Sequence, residues 1–178
     1  MLNYIFCFFF QQPRCALCDR QFVTTDAVLA HLKEAHPSAT LATFTRTLQN
    51  QPCLIHKGYT YRHCYSGKNT FSWRCGKRGC SSSARTRGSH HLDVTSVVIS
   101  ATEHKHPASD AKARLVCIMN QVRKLVDETD MSGLAIRQKI FATLDPEVAA
   151  ICPSQNLIQQ LVYRRRKAAK AKKNGLYE

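Results

Sequence analysis

Apolar and polar positions follow one period through the middle of this chain and another through its C-terminal half. Within residues 53–107 the stretches "CLIHKGYTYRHCY", "TFSWRCGK" and "ARTRGSHHLDVTSVVISATEHKHP" read as strands, punctuated by Gly58, Gly67, Gly76 and Gly79. Tyr59 and Tyr61 stand two apart, as on a half-buried strand, and Val94, Val97, Val98 and Ile99 form a β-branched run. On such a strand the lone Trp73 points inward as the core of the sheet, and Arg74 alternates to the other face. From residue 108 the spacing becomes helical, with Leu115, Ile118, Met119, Val122, Leu125 and Val126, then Ile136, Ile140, Phe141 and Leu144 after the turn signal "TDMSG". A short third segment runs from Asp145-Pro146 to Cys152. A fourth starts at Pro153, a favoured first-turn proline, and carries Leu157, Ile158, Leu161 and Val162 into "YRRRKAAKAKK". These stripes predict a small α-helical bundle over 108–163, followed by a basic tail over 164–178.

Upstream, "PSATLATFTRTLQNQP" (37–52) is rich in Thr and bounded by Pro37 and Pro52. It reads as a linker with a short helix around Leu41 to Leu48. Residues 1–12 form an apolar N-terminal segment opening "MLNYIFCFFF". A bilayer span needs about 20 apolar residues, and a secretory signal needs a basic start and a small-residue cleavage site. The segment has neither, and reads as a buried strand or an imperfect gene start.

The cysteines sharpen this picture. A chain of 178 residues with 9 cysteines has room for several small modules, each too small to build a sufficient core unaided. Without a secretory signal, clustered cysteines point to metal ligands rather than disulfides. Residues 13–36, "PRCALCDRQFVTTDAVLAHLKEAH", place Cys15 and Cys18 ahead of His31 and His36 in a C-x₂-C-x₁₂-H-x₄-H spacing. That spacing fits a β-hairpin presenting two thiolates to a helix with two imidazoles, with Phe22 and Val28 as a miniature core. The stretch resembles the two-cysteine, two-histidine zinc finger family, with a ββα fold. A second set is Cys75, Cys80, His104 and His106. An H-x-H pair on a regular strand points to opposite faces, so His104 and His106 meet one ion only at a bend or strand end, and Pro107 suits such an end. Together the four would close a tetrahedral site of the structural type. His90 or His91 could stand in for one of that pair. Cys117 and Cys152 read as small core residues, while His56 and His63 read as surface or DNA-facing.

Charge separates the segments further. The formal net charge is +14, and the excess is not spread evenly. Residues 53–106 hold 9 basic and 2 acidic side chains, residues 160–178 hold 7 and 1, and residues 107–159 balance at 6 and 6. Two concentrated basic blocks imply a polyanionic partner.

The combination of "KGYTY", "FSWRC", the four-residue gap to Cys80 and "TEHKHP" resembles the FLYWCH-type zinc finger, matched by Leu54, Tyr61, Phe71, Trp73, Cys75, Cys80, His104 and His106. The match departs from the family at "FSWRC", where an aromatic commonly precedes the Trp, and at the "SSS" after Cys80, where basic residues are more usual. The resemblance implies a zinc-closed antiparallel β-sheet over 53–107, related in fold to WRKY DNA-binding domains. It also implies kinship with Mutator-like transposases, in which a helical segment often follows the finger. The stretch "KGYTYRHCYSGK" sits where the WRKY groove-reading strand would be. The resemblance therefore assigns base contacts to Arg62, His63, Tyr65 and Lys68; Lys77 and Arg78, in the loop between two of the expected zinc ligands, are placed to reach phosphates, and Arg74 is a further DNA-binding candidate. In the tail, Arg164, Arg165 and Arg166 head 7 basic residues between Arg164 and Lys173, which suit phosphate contact or nuclear import.

These features imply two structural zinc ions, DNA as the partner and a nuclear location. Neither a membrane nor a small-molecule substrate is expected. Transposase catalysis needs about three carboxylates around divalent metals, and 6 of the 12 acidic residues here lie in the helical region beside matching basic neighbours. The adjacent His63-Cys64 pair points to opposite strand faces, a poor arrangement for a nucleophile. No enzymatic activity is expected. The first finger presents Thr24, Ala27 and Ala30 where base contacts would fall, and none can make a bidentate contact. That finger reads as structural or as a contact for chromatin or transcription proteins. A protein–protein module of chromatin and the DNA-recognition end of a truncated transposase are the alternative readings.

Overall fold

The structure is a computed structural model and describes residues 13–88, 92–142 and 144–173. The expectations for residues 1–12 and for His90 and His91 lie outside the described residues.

At the N-terminal end a single antiparallel bridge, Arg14 with Gln21, precedes helix α1 (Thr25–Ala35). Thr24 starts the helix, its hydroxyl accepting the Ala27 N–H at 3.2 Å and so satisfying one of the free amides of the first turn. Cys15, Ala16, Val28 and Leu32 are buried between bridge and helix, with Phe22 packed alongside.

Among the described residues seven strands follow: β1 (Thr40–Leu41), β2 (Thr43–Arg46), β3 (Pro52–His56), β4 (Tyr59–Ser66), β5 (Thr70–Cys75), β6 (Ser83–Arg87) and β7 (Val97–Ala101). All pair antiparallel, in the order β1-β7-β6-β5-β4-β3-β2. β1 and β2 lie on opposite edges of this sheet, yet only Ala42 separates them in sequence. The edges therefore meet at Ala42, whose N–H bonds the Ser96 carbonyl, and the sheet is nearly closed. This corrects the expectation for 37–52. The segment contains no helix and is not a free linker, because its Thr43 to Arg46 pair with Ile55 to Pro52 and its Thr40 and Leu41 with Val98 and Val97. Thr and Phe in alternation are strand-forming residues, and closing the sheet removes an exposed edge.

Alternation then sorts the side chains. Ala42, Leu54, Tyr61, Phe71, Trp73 and Ala84 fill the interior. Trp73 is buried as expected, and its indole N–H donates to Thr86 Oγ1 at 2.9 Å, which leaves neither polar group unpaired inside the sheet. His56 is buried too, contrary to its reading as a surface residue, and burial lowers its pKa. The β3–β4 turn is Lys57-Gly58, both at positive φ (48° and 73°), as a two-residue hairpin turn requires. At Gly58 a side chain would also collide with Asp110.

The helical half consists of α2 (Asp110–Glu128), α3 (Gly133–Phe141), α4 (Pro146–Ala150) and α5 (Gln155–Lys173). The periodic positions Met119, Val122, Val126, Ile136, Ile158 and Val162 form its buried core. α5 begins later than Pro153 implies, with Ser154 Oγ accepting the Leu157 N–H at 3.4 Å. It also runs through the expected tail to Lys173. Gly133 lets α3 approach α5 closely, since a Cβ there would lie 3.0 Å from Gln159 Cα. α2 also packs on β2 and β4. Thr45 and Cys53, paired across β2 and β3, are both buried. No described helix is long and apolar enough to cross a membrane.

Candidate metal centres and the basic face

The local folding just described brings both predicted ligand sets together. In each of Cys15/Cys18/His31/His36 and Cys75/Cys80/His104/His106, the four candidate ligand atoms lie within 4.8 Å of one another. Zinc–sulfur and zinc–nitrogen bond lengths imply ligand–ligand edges of about 3.3–3.8 Å in a tetrahedron. The observed separations include 3.2 Å for Cys18 Sγ to His31 Nε2 and 3.3 Å for Cys75 Sγ to His106 Nε2. His104 Nδ1 lies 3.6 Å from Cys80 Sγ and 3.3 Å from His106 Nε2. Both clusters are thus close to the size of a four-coordinate site.

In the first centre, Cys15 and Cys18 come from the turn before Gln21, His31 from α1, and His36 from its C-cap, where the backbone leaves helical geometry. The His36 Nε2 is buried and has no hydrogen-bond partner among the described residues. Such an orphan is costly unless its lone pair meets another acceptor of electrons, and a metal ion is one. The Cys18 thiol is drawn down to about 6 by His36, the Arg20 amide and His31, so the thiolate a metal requires forms readily.

The second centre lies at one end of the sheet. Cys75 ends β5, Cys80 closes the following loop, and both histidines lie beyond the end of β7. The strand has ended before His104, so the H-x-H pair is freed from alternation and the two rings meet through different nitrogens. The outward nitrogens are both held. His104 Nε2 lies 2.7 Å from the Tyr61 hydroxyl, His106 Nδ1 lies 3.0 Å from the Pro107 carbonyl, and the Tyr59 ring stacks on His104 at 3.6 Å. Groups of this kind orient ligating imidazoles and fix their tautomer. The two thiols respond differently. The Ser82 hydroxyl and amide lower Cys80 to about 5, helped by the Lys105 amide and His104. Burial raises Cys75, and Cys80 beside it adds to the rise. One thiolate is favoured and a second is opposed, and a divalent cation between them would offset that opposition.

The remaining candidates divide. Across β4 and β5, Arg62 lies directly opposite Arg74, and both are exposed on the outer face of the sheet. A bulge at Cys64, between the His63–Trp73 and Tyr65–Ser72 pairs, turns Tyr65 onto that same face. His63 goes the other way. It is half-buried, its ring 5.2 Å from Trp73 and its Nε2 3.0 Å from Ser66 Oγ. Lys68, Lys77 and Arg78 are exposed in loops at the two ends of β5. In α5, Arg164 is exposed, whereas Arg165 bonds Asp127 and the Leu48 carbonyl, and Arg166 bonds the carbonyls of Thr129 and Met131. The guanidinium groups of Arg165 and Arg166 are therefore engaged in holding the helices together.

Sequence reasoning passed over Arg85 and Arg87 on β6, which share the outer face with Arg74. Their two-residue spacing on a predicted strand was the available signal. Comparison with protein-family models, curated proteins and solved structures gives no significant match.

Proposed function

We propose that this chain is a zinc-dependent, sequence-selective DNA-binding protein of the FLYWCH type, related to WRKY domains and to the recognition end of Mutator-like transposases. The observation that carries the reading is the second centre. Its four ligands gather at the end of a sheet whose outer face carries Arg62, Arg74 and Tyr65, with Lys77 and Arg78 in the loop between two of those ligands. Zinc suits the donor set of two thiolates and two imidazoles, and with all four positions filled by protein it serves the fold rather than chemistry. The concentrated charge of residues 53–106 supports an anionic partner, and a DNA partner implies a nuclear location.

The first finger takes a supporting part in this reading. Its buried residues pack together with Val97 of the sheet, and the Thr24 hydroxyl is already spent on capping α1. Ala27 and Ala30 offer bases nothing to read. Contacts to chromatin or transcription proteins would fall to this finger and to the helical half.

Unbiased selection of duplex DNA sites with the purified chain, with and without a zinc chelator, tests the proposal. A reproducible motif that disappears with chelator is expected. No enrichment in the metal-loaded protein would overturn it in favour of a protein-docking module.

A further inference from the structure

We propose that the outer face of β4, β5 and β6 is a phosphate-binding surface for duplex DNA, with Arg85 and Arg87 as anchors on its far strand. The inference rests on the DNA-binding reading above and specifies how the contact is made.

The strand register defines the surface. Arg62 faces Arg74, Ser72 lies between Tyr65 and Arg85, and Thr70 faces Arg87. All four arginines and Tyr65 are exposed, while the small polar residues Thr70 and Ser72 form the floor between them. Strands β4 to β6 contain no carboxylate. The ion pairs among the described residues use Arg114, Arg123 and Arg165, all in the helical half, and none of the four sheet arginines. Like charges placed directly opposite one another on a sheet are destabilising, so the Arg62–Arg74 pair is unfavourable by itself. A polyanion laid on this face removes that penalty.

Spacing supports a backbone ligand. Directly opposite residues have Cβ atoms about 5 Å apart and diagonal ones about 7–8 Å apart. Arg85 and Arg87, two apart on one strand, are separated by about 7 Å. Guanidinium groups in such steps can reach successive phosphates of one strand, in the planar geometry arginine favours. Lys77 and Arg78 extend the row beyond one end of β5, and Lys68 beyond the other.

The width of the face decides how it meets the duplex. The major groove is about 12 Å wide and admits a helix or a two-stranded ribbon. Three paired strands are already about 10 Å across between backbones, before side chains are added. This face is therefore wider than the groove, so that β4 with Arg62 and Tyr65 can lie over base edges while Arg85 and Arg87 on β6 rest on the phosphates. Single-stranded nucleic acid is a poorer fit, since such sites stack successive bases on several aromatics, and Tyr65 is the exposed aromatic residue of these three strands.

The test is DNA binding by the full zinc-loaded chain over a range of salt, on a selected duplex and a random one, for wild type and R85Q/R87Q. Zinc content and the fluorescence of Trp73, buried beneath the face, verify the fold. The double variant should weaken both duplexes alike, on the order of 50-fold at 0.1 M salt, and lower the log–log salt slope by roughly two. R85K/R87K, which keeps the charge, should recover most of the affinity. An unchanged slope in R85Q/R87Q alongside tight wild-type binding would overturn the inference. So would tighter binding to single strands than to duplex, or a loss that lysine does not repair. A wild-type chain that binds no DNA would instead overturn the DNA-binding reading itself.

Discussion

Tyr61 serves two ends at once. Its ring belongs to the core of the sheet and its hydroxyl reaches His104 Nε2 at 2.7 Å. Were Nδ1 of His104 to ligate a metal, Nε2 would carry the proton and donate a hydrogen bond to the phenol oxygen. Burial raises the phenol to about 12, so it stays neutral in that role at any physiological pH. Tyr61→Phe should keep the sheet, because the ring still fills its place, and should weaken the second metal about 10–100-fold, the usual cost of losing such a support. Competition against a chromophoric chelator measures this, and an unchanged affinity would show that His104 does not bind through Nδ1. At this scale the two groups of candidate ligands were legible, because spacing and donor type carry the chemistry of metal binding with them. Tyr61's second role was not. A hydroxyl that meets an imidazole 43 positions along the chain leaves no local trace in sequence. The burial of His56 did leave such a trace, since it stands two positions after Leu54 on β3 and shares its face.

Among the elements, the helices were readable from their apolar stripes, and the strands β3 to β7 from alternation and glycine. β1 and β2 were not. They are 2 and 4 residues long; β1 pairs with β7, more than fifty residues along the chain, and β2 joins β3 across the polar turn between Thr47 and Gln51. The bulge at Cys64 was equally hidden, and it decides which face Tyr65 takes. Docking of α2 on the sheet can be read through Cys53. This thiol is buried opposite Thr45, burial pushes it up to about 11, and it remains protonated and unreactive near pH 8. Cys64, on the neighbouring strand, is exposed. Alkylation at pH 8 followed by mass mapping should label Cys64 within minutes and leave Cys53 unmodified until the chain is unfolded. Comparable rates at the two cysteines would mean that α2, packed on β2 and β4, does not shield Cys53 on the strand between them.

For the whole molecule, the three segments expected to stand apart share their contacts. Val97 joins the finger's buried cluster, Leu48 joins that of the helices, and Arg165 of α5 donates to the Leu48 carbonyl at 3.0 Å. The arginines of β4, β5 and β6 stay on the exposed face, whereas Arg165 and Arg166 are engaged between the helices. Each candidate centre gathers two thiols and two imidazoles at about the separations of a four-coordinate ion, so the account requires that each be filled. Elemental analysis of the reduced, purified chain after extensive dialysis measures this directly. Two zinc ions per chain are predicted, since the two sets of four ligands share no member. A ratio of one would remove a centre, and a protein that is fully folded without metal would contradict the account at its base.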